Sequence, residues 1–328
     1  MNENFVDFMR KYSGHKLAVA VSGGVDSVCL VCWLAAMGLD IVALHVNHGL
    51  RAVADDEEQY VQDLCKKINV PCQTFRWCGE KPENGIEAAA RDARYKFMTD
   101  WCHENGVNYL VLAHQADDQI ETFLMNLGRG SGIYGLAGMQ AVSVRDGIQI
   151  LRPLLEVKRA ELVKYCDENG IKYCHDEMND DVQYTRVKIR KNRHLMDKSL
   201  GISDDRILLA IKNLGRIRDA LVADVDTLVE SVRCRGGGMF SHAFLFDLGD
   251  DIRLKFLGTL IKNIGGDSYQ PRLKSLHAAL DKLSNDCKFT LGHCTVRRLG
   301  EKILVVPEGS KTTFRKRNEK KQHKQQSK

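Results

Sequence analysis

Residues 16–27 read KLAVAVSGGVDS, and an apolar segment continues from there to Met37. The first six residues predict a short buried strand, and Val25–Met37 predicts a buried helix. Two glycines between them let the backbone turn tightly and direct several N–H groups at one point. The helix N-terminus adds positive potential and the serines add hydroxyl donors, which suits a phosphate or pyrophosphate group. The predicted phosphate-binding loop consists of Ser22, Gly23, Gly24, Val25, Asp26 and Ser27.

This loop differs from the Walker-type phosphate loop, because it lacks the lysine and the spacing of Gly-x-x-x-x-Gly-Lys-Ser/Thr. The alternative interpretation is an ordinary strand–helix turn that is capped by Asp26 or Ser22.

Strand and helix signals alternate through the first half of the chain. Further strands are predicted at 39–46, 72–77 and 109–113, and helices at 54–69, from 84 onward and at 117–127. This alternation predicts an α/β fold with a doubly wound, Rossmann-like parallel sheet covered by helices on both faces. In such sheets ligands bind beyond the carboxyl ends of the strands, which is where the predicted loop lies.

Three regions are expected along the chain. Residues 1–200 form the catalytic domain. Residues 201–310 form a smaller, mainly helical α+β domain, with helices near 203–232 and 273–283 and short strands near 289–291 and 302–306. Residues 311–328 form a basic, disordered tail with eight Lys/Arg and one Glu, whereas the rest of the chain carries 40 Lys/Arg and 42 Asp/Glu. Such a tail either contacts nucleic acid or serves solubility.

The chain has eleven cysteines and no signal peptide near its start, so a disulfide framework is not expected. Cys29 and Cys32 form a Cys-x-x-Cys inside the apolar helix signal, where free cysteine behaves as a small hydrophobic residue. No apolar run approaches the about 20 residues that a membrane-spanning helix needs. A cytoplasmic protein without membrane contact is expected.

Polar residues mark the carboxyl ends of two predicted strands. His45 and Asn47 share one face of the second strand, since side chains alternate with period 2. They are candidates to hold a nucleotide, or simply polar residues at the exposed end of a strand. His114 closes the fourth strand, and Asp118 and Glu121 share a face of the next helix. Asp118-x-x-Glu121 is alternatively a helix cap.

Two groups of basic residues accompany these positions. Glu87, Arg91 and Arg94 lie on one strip of a helix, where a Glu87–Arg91 pair worth about 0.2–0.5 kcal/mol is the structural explanation. Arg94 has Ala90 four residues before it and is the better candidate to face the site. The stretch Arg186–Arg193 is either a solvated helix face or a contact for a polyanion.

Several motifs resemble those of a known family. SGGVDS at 22–27 resembles the loop of the N-type ATP pyrophosphatases, the PP-loop superfamily, which cleave ATP between the α and β phosphates. Four more segments resemble the tRNA(Ile)-lysidine synthetases, and Ala-Arg-x-Ala-Arg-Tyr around Arg94 is also typical of them. These are HVNHGLR at 45–51, AHQADDQIET at 113–122, RGSG at 129–132 followed by GLAGM at 135–139, and DEMN at 176–179 leading to YTRVKIR at 184–190.

The resemblance implies an ATP-dependent reaction on the wobble cytidine of tRNA(Ile) with a CAU anticodon. ATP adenylates O2 of the cytidine, and the ε-amine of free L-lysine then attacks C2, giving lysidine, AMP and pyrophosphate. Asp26, with Asp118, is expected to hold Mg²⁺. His114, Asp118 and Glu121 are expected to hold lysine or the metal, and Arg186 to reach back into the site. His114 or a carboxylate is expected to act as the base.

Two alternative functions share part of these features. A PP-loop tRNA thiolation enzyme has the same loop but needs catalytic or cluster-binding cysteines, which are scattered here. A non-catalytic RNA-binding protein has basic stretches but no need of a pyrophosphate loop. Gln115 and Val187 depart from the family pattern, where histidine and asparagine are common. A homodimer is the default expectation for assembly.

Removing residues 311–328 should flatten the salt dependence of tRNA binding, because fewer cations then neutralise phosphates. The measurement is log Kd against log salt concentration for the full and the shortened chain. An unchanged slope would show that the tail does not contact the RNA.

Overall fold

The structure is a computed structural model that describes residues 2–49, 53–78, 85–174, 185–267, 269–285 and 287–310. The basic tail and the DEMN segment therefore lie outside the described residues. The chain divides into two compact units, Met1–Arg218 and Asp219–Lys328, while the predicted catalytic domain at 1–200 stays a prediction. Among the described residues no helix is both long and apolar enough to cross a bilayer.

The first unit is built from strands that alternate with helices. Its strands are β1 Leu17–Ala20, β2 Ile41–Asn47, β3 Cys72–Arg76, β4 Tyr109–Val111, β5 Val142–Arg145 and β6 Ile148–Leu151. Its helices are α1 Glu3–Arg10, α2 Val25–Ala36, α3 Ala54–Lys67, α4 Ile86–Glu104, α5 Ala116–Gly128, α6 Ile133–Leu136, α7 Arg159–Glu168, α8 Thr185–Leu200 and the first part of α9 Asp204–Val232.

The six strands form one sheet in the order β3-β2-β1-β4-β6-β5. All neighbouring pairs are parallel except β5 and β6. The strand order reverses beside β1, which pairs with β2 on one side and β4 on the other. A crevice at such a reversal is where doubly wound sheets bind ligands. The predicted α/β fold is confirmed.

The sheet buries both of its faces, and β1 shows why its four residues are all apolar. Leu17 and Val19 belong to one core with α1, α2, α3 and α7. Ala18 belongs to the other core, with α4. Because side chains alternate across a strand, a strand buried on both sides has an unbroken apolar sequence. Cys29 and Cys32 are buried in the first core, as predicted.

The hairpin of β5 and β6 was not predicted. Its strands have four residues each, and Val142 and Val144 on the edge strand are 38% and 69% exposed. The turn consists of Asp146 and Gly147, both with positive φ, 50° and 78°. Asp-Gly is a strong hairpin signal, and it is the sequence feature from which this hairpin is recognisable.

The second unit is α+β, as predicted, but its sheet is larger than the sequence suggested. Five antiparallel strands lie in the order β7-β8-β11-β10-β9. They are β7 Arg233–Cys234, β8 Gly237–Ser241, β9 Phe289–Leu291, β10 Cys294–Leu299 and β11 Lys302–Pro307. The helices are the rest of α9, α10 His242–Asp247, α11 Asp250–Gly265 and α12 Leu273–Ser284.

The glycines after α9 form the start of this sheet rather than a loop. A Cβ at Gly237 would lie 2.2 Å from the carbonyl oxygen of Val305 on β11. Only glycine therefore permits β8 to approach β11 this closely. The helix predicted near 203–232 ends just before these glycines, as α9 does, but the sequence does not reveal the strand.

Candidate active site

The loop of residues 22–27 lies at the carboxyl end of β1 and leads into α2. Ser27 is buried, its hydroxyl accepts from the N–H of Ser22 at 3.1 Å, and it donates to the carbonyl of Gly24 at 3.0 Å. Gly24 occupies the N-cap position and makes no side-chain cap. The first N–H groups of α2 have no intrahelical acceptor. The loop is thus closed by its own serines while a helix N-terminus stays open to an anion.

Gly23 adopts a left-handed backbone conformation, with φ 95°. Its carbonyl accepts from the N–H of Cys174 at 2.9 Å, and a Cβ at Gly23 would lie 3.2 Å from Sγ of Cys174. Backbone conformation and space both favour glycine here. Sequence reasoning did not identify Cys174, since 150 positions separate it from the loop.

His45 and Asn47 are both buried near the end of β2, on one face as predicted. Burial lowers the pKa of His45, and its Nδ1 donates to the loop carbonyl of Val21 at 2.8 Å. Asn47 donates to Glu58 at 2.8 Å and accepts from the N–H of Gly49 at 2.9 Å. Both side chains position neighbouring backbone, and direct contact with a nucleotide stays a prediction.

The start of α5 is a capping box, but between other residues than the predicted pair. Gln115 is the N-cap residue and accepts from the N–H of Asp117 at 2.5 Å. Asp118 accepts from the N–H of Gln115 at 3.0 Å. Asp118 therefore caps the helix with one oxygen while remaining at the site edge of the sheet. Gln115, which departs from the family pattern, takes the N-cap position of this capping box, and Asp118 takes the N3 position.

Glu121 is fully buried, and it pairs with Arg190 of α8. Nε of Arg190 donates to Oε1 of Glu121 at 2.8 Å, and no described residue bonds the buried Oε2. Arg193 similarly pairs with Asp117 at 3.1 Å. For these two arginines the predicted solvated face is wrong, because they neutralise carboxylates of α5, whereas contact with a polyanion stays a prediction. Sequence spacing alone does not connect residues so far apart.

Asp26 lies in the first turn of α2 and faces other charged groups. Burial is the main cause that raises its pKa to about 6, Arg159 opposes the rise, and Asp118 and Asp117 add to it. Nε of Arg159 is 3.8 Å from Oδ1 of Asp26, and no described residue donates a hydrogen bond to that buried oxygen. Burial also raises the pKa of Asp118. Two carboxylates that repel each other across one space create a demand for a cation.

Mg²⁺ fits this pair. Magnesium in phosphate-transfer sites is held by one or two carboxylates together with substrate phosphates. The described residues contain no group of three or more His, Cys, Asp or Glu placed to hold a metal ion by themselves. Asp26 and Asp118 match a site in which two carboxylates hold Mg²⁺ together with substrate phosphates.

His114 stands at the same edge, among arginines. The pKa of His114 is lowered to about 3. Burial is the main cause, and the positive charges of Arg152, Arg91, Arg94 and Arg186 lower it further, in that order. The positive charges of the predicted Arg94 and Arg186 therefore lower the pKa of His114. Arg152 and Arg91, which were not predicted as site residues, do the same. The Glu87 side chain lies outside the described part of the chain.

Arg152, at the end of β6, is the strongest of these influences on His114 after burial. Its guanidinium donates to Ser143 at 2.9 Å and to the carbonyl of Gln140 at 3.0 Å. It was missed because β6 itself was not predicted.

Residues 1–197 match a sequence profile described as a PP-loop domain. A tRNA(Ile)-lysidine synthase of Wolbachia sp. subsp. Brugia malayi is 34% identical in an alignment 321 residues long that covers 94% of this chain and 74% of that protein. The chain belongs to the tRNA(Ile)-lysidine synthase family. Synthases of Bradyrhizobium sp. and Rhodopseudomonas palustris are 36% and 32% identical; the matches cover 81% and 89% of this chain and 79% and 90% of theirs.

A solved structure shares the fold of this lysidine synthase family member. The U34-tRNA thiolase NcsA from Methanococcus maripaludis, with its [4Fe-4S] cluster, matches with a TM-score of 0.55 at 16% identity. The match covers 65% of this chain and 78% of NcsA. At this identity the similarity concerns the fold alone.

Gly23→Ala should impair pyrophosphate release far more than Gly14→Ala. Both glycines have φ near +90°, so either alanine costs about 1–2 kcal/mol of backbone energy. Only at Gly23 would the Cβ also meet Cys174, whereas nothing lies within 4 Å at Gly14. Pyrophosphate release with ATP, lysine and tRNA should fall about tenfold or more for Gly23→Ala alone. Equal activity of both variants would contradict the assigned geometry.

Arg190→Met should destabilise the first unit, because it leaves the buried carboxylate of Glu121 unpaired at a cost of about 3–5 kcal/mol. Adding Glu121→Gln should recover part of that loss. Arg10→Met is the control, since Arg10 and its partner Asp7 are 71% and 72% exposed. The measurement is the urea midpoint, and a loss as small as the control's would refute a structural role for the Arg190 pair.

Proposed function

We propose that this protein ligates free L-lysine to C2 of the wobble cytidine of tRNA(Ile) with a CAU anticodon, consuming ATP and releasing AMP and pyrophosphate. Membership of the tRNA(Ile)-lysidine synthase family supports this proposal. The observation that carries it is the convergence of the open phosphate loop, Asp26, Asp118 and His114 at one edge of the sheet.

The loop serves the first half-reaction, transfer of AMP to O2 of the cytidine. Negative charge grows on the departing pyrophosphate, and N–H groups already directed at that position stabilise it without reorganising. Asp26 and Asp118 would hold Mg²⁺, which when bound neutralises charge on the phosphates. Arg94 and Arg186 supply further positive charge at the same edge.

The second half-reaction needs a neutral amine. With a pKa near 10.4, only about 1 lysine in 2,500 is neutral at pH 7, so a base must take the proton. His114 is the candidate, because its lowered pKa keeps the imidazole neutral and its buried Nδ1 has no hydrogen-bond partner among the described residues. Phosphates that neutralise the nearby arginines would remove their part of the lowering of the His114 pKa, while burial, its main cause, remains. The carboxylate of Asp118 is the candidate to attract a lysine ammonium group, whereas Glu121 is fully buried and already paired with Arg190.

Binding of the tRNA is assigned to the second unit and the basic tail, in addition to the catalytic unit. The reaction then takes place in the cytoplasm, where unmodified tRNA is found. A homodimer stays the default for assembly.

Lysine transfer is favoured over tRNA thiolation by the placement of cysteines. The NcsA structure carries a [4Fe-4S] cluster, and thiolate clusters need several converging cysteines. In the described part of this chain no three cysteines converge as metal ligands, and five of the eleven are buried in the cores of the first unit.

Purified protein should incorporate labelled lysine into tRNA(Ile) with a CAU anticodon when ATP is present. Omission of ATP, or use of Asp26→Asn, should abolish incorporation, because the adenylated cytidine then does not form. The tRNA(Met) with the same anticodon is the specificity control. Folded protein that releases pyrophosphate but leaves lysine free would refute the proposal, and sulfur in the product would establish thiolation instead.

A further inference from the structure

A cavity of about 530 Å³ lies within the second unit, outside the site described above. It occupies the region between the end of α11 and the start of α12, and the turn between β9 and β10 closes one side. Its lining is mixed: the polar residues Asp267, Gln270, Arg272 and Ser275 stand beside Tyr269, Pro271 and Leu291. A cavity of this size that combines apolar surface with a few polar groups suits a small ligand with both an apolar face and a polar edge.

The walls of this cavity are held in place before any ligand binds. Gln270 donates to the hydroxyl of Thr259 at 2.7 Å and accepts from Lys255 at 3.2 Å. A Cβ at Gly265 would lie 2.0 Å from the carbonyl oxygen of Gly292, so the end of α11 and the β9–β10 turn touch through their backbones. Fixed walls lower the ordering cost of binding.

The surrounding sequence is basic. Residues 255–298 carry eight Lys/Arg and three Asp. Among the acidic residues, Asp267 lines the cavity, and its Oδ1 lies 3.4 Å from Nε2 of His293. Among the basic residues, Arg272 lines the cavity and is exposed. This part of the unit therefore attracts a polyanion.

Tyr269 adds an aromatic surface at the cavity rim and is 70% exposed. Exposed aromatic rings in basic surroundings stack unpaired bases of RNA. We propose that this cavity binds one unpaired nucleotide of the tRNA substrate. The base stacks on Tyr269, Arg272 neutralises the adjoining phosphate, and the fixed Gln270 meets the base edge. The identity of the RNA as a tRNA rests on the proposed function, whereas the stacking site rests on the cavity.

The test compares Tyr269→Ala with Tyr269→Phe, because phenylalanine keeps the stacking face. Leu299→Ala is the matched control, since Leu299 is an apolar residue of the same unit, 51% exposed and outside the cavity. The Kd of the full chain for unmodified tRNA is measured without ATP at one fixed salt concentration. Tyr269→Ala should weaken binding about tenfold, while Tyr269→Phe and Leu299→Ala should stay within about twofold. Turnover at saturating tRNA should be unchanged in all three.

Equal Kd values for Tyr269→Ala and Tyr269→Phe would overturn the cavity proposal. Calorimetric binding of AMP that Tyr269→Ala removes would assign the cavity to a free nucleotide and would also overturn it. Unfolding midpoints of the variants should match the parent, because Tyr269 is largely exposed.

The two proposals fail separately in this design. Lysine incorporation with RNA binding that is independent of Tyr269 refutes the cavity alone. RNA binding that depends on Tyr269, without lysine incorporation, supports the cavity and refutes the proposed reaction.

Discussion

The structure depends on one backbone constraint: the chain must pass from β1 into α2 within a few residues while the first N–H groups of α2 remain open. Gly23 makes the turn in a left-handed conformation, and Ser27 closes it from within. The neighbouring strand supports the turn through His45, which bonds the carbonyl of Val21. A loop held in this way keeps its N–H donors directed at one point. Stabilisation of charge during catalysis requires donors that are already in position.

Around this loop, charge is arranged at a cost to stability. Asp26 and Asp118 have raised pKa values mainly because both are buried; Asp118 adds to the rise at Asp26, and Glu121 adds to the rise at Asp118. Glu121 is buried outright and tolerated because Arg190 neutralises it. Such strained electrostatics are concentrated at functional sites. The basic residues of α8 belong to the same arrangement, because part of their positive charge neutralises carboxylates of α5.

The sequence reveals the α/β fold, and it predicts most of the candidate site residues, because the governing signals are local. The unbroken apolar character of β1, the paired glycines and the polar residues that follow β2 and β4 all lie within short windows. Contacts distant in sequence are not visible in this way. Cys174 beside Gly23, Arg190 on Glu121 and Arg152 near His114 join segments whose spatial proximity only the folded sheet creates. The five-stranded sheet of the second unit was underestimated for a related reason, since short strands rich in glycine carry little periodicity.

The half-exposed thiol of Cys174 has a practical consequence for handling the protein. Its sulfur borders the space that residue 23 leaves empty by lacking a side chain. An alkyl group or glutathione attached there would occupy the same volume as a missing Cβ and press on the turn. Reagents used to label or block cysteines, such as iodoacetamide or maleimide dyes, would thus add bulk beside the turn at Gly23.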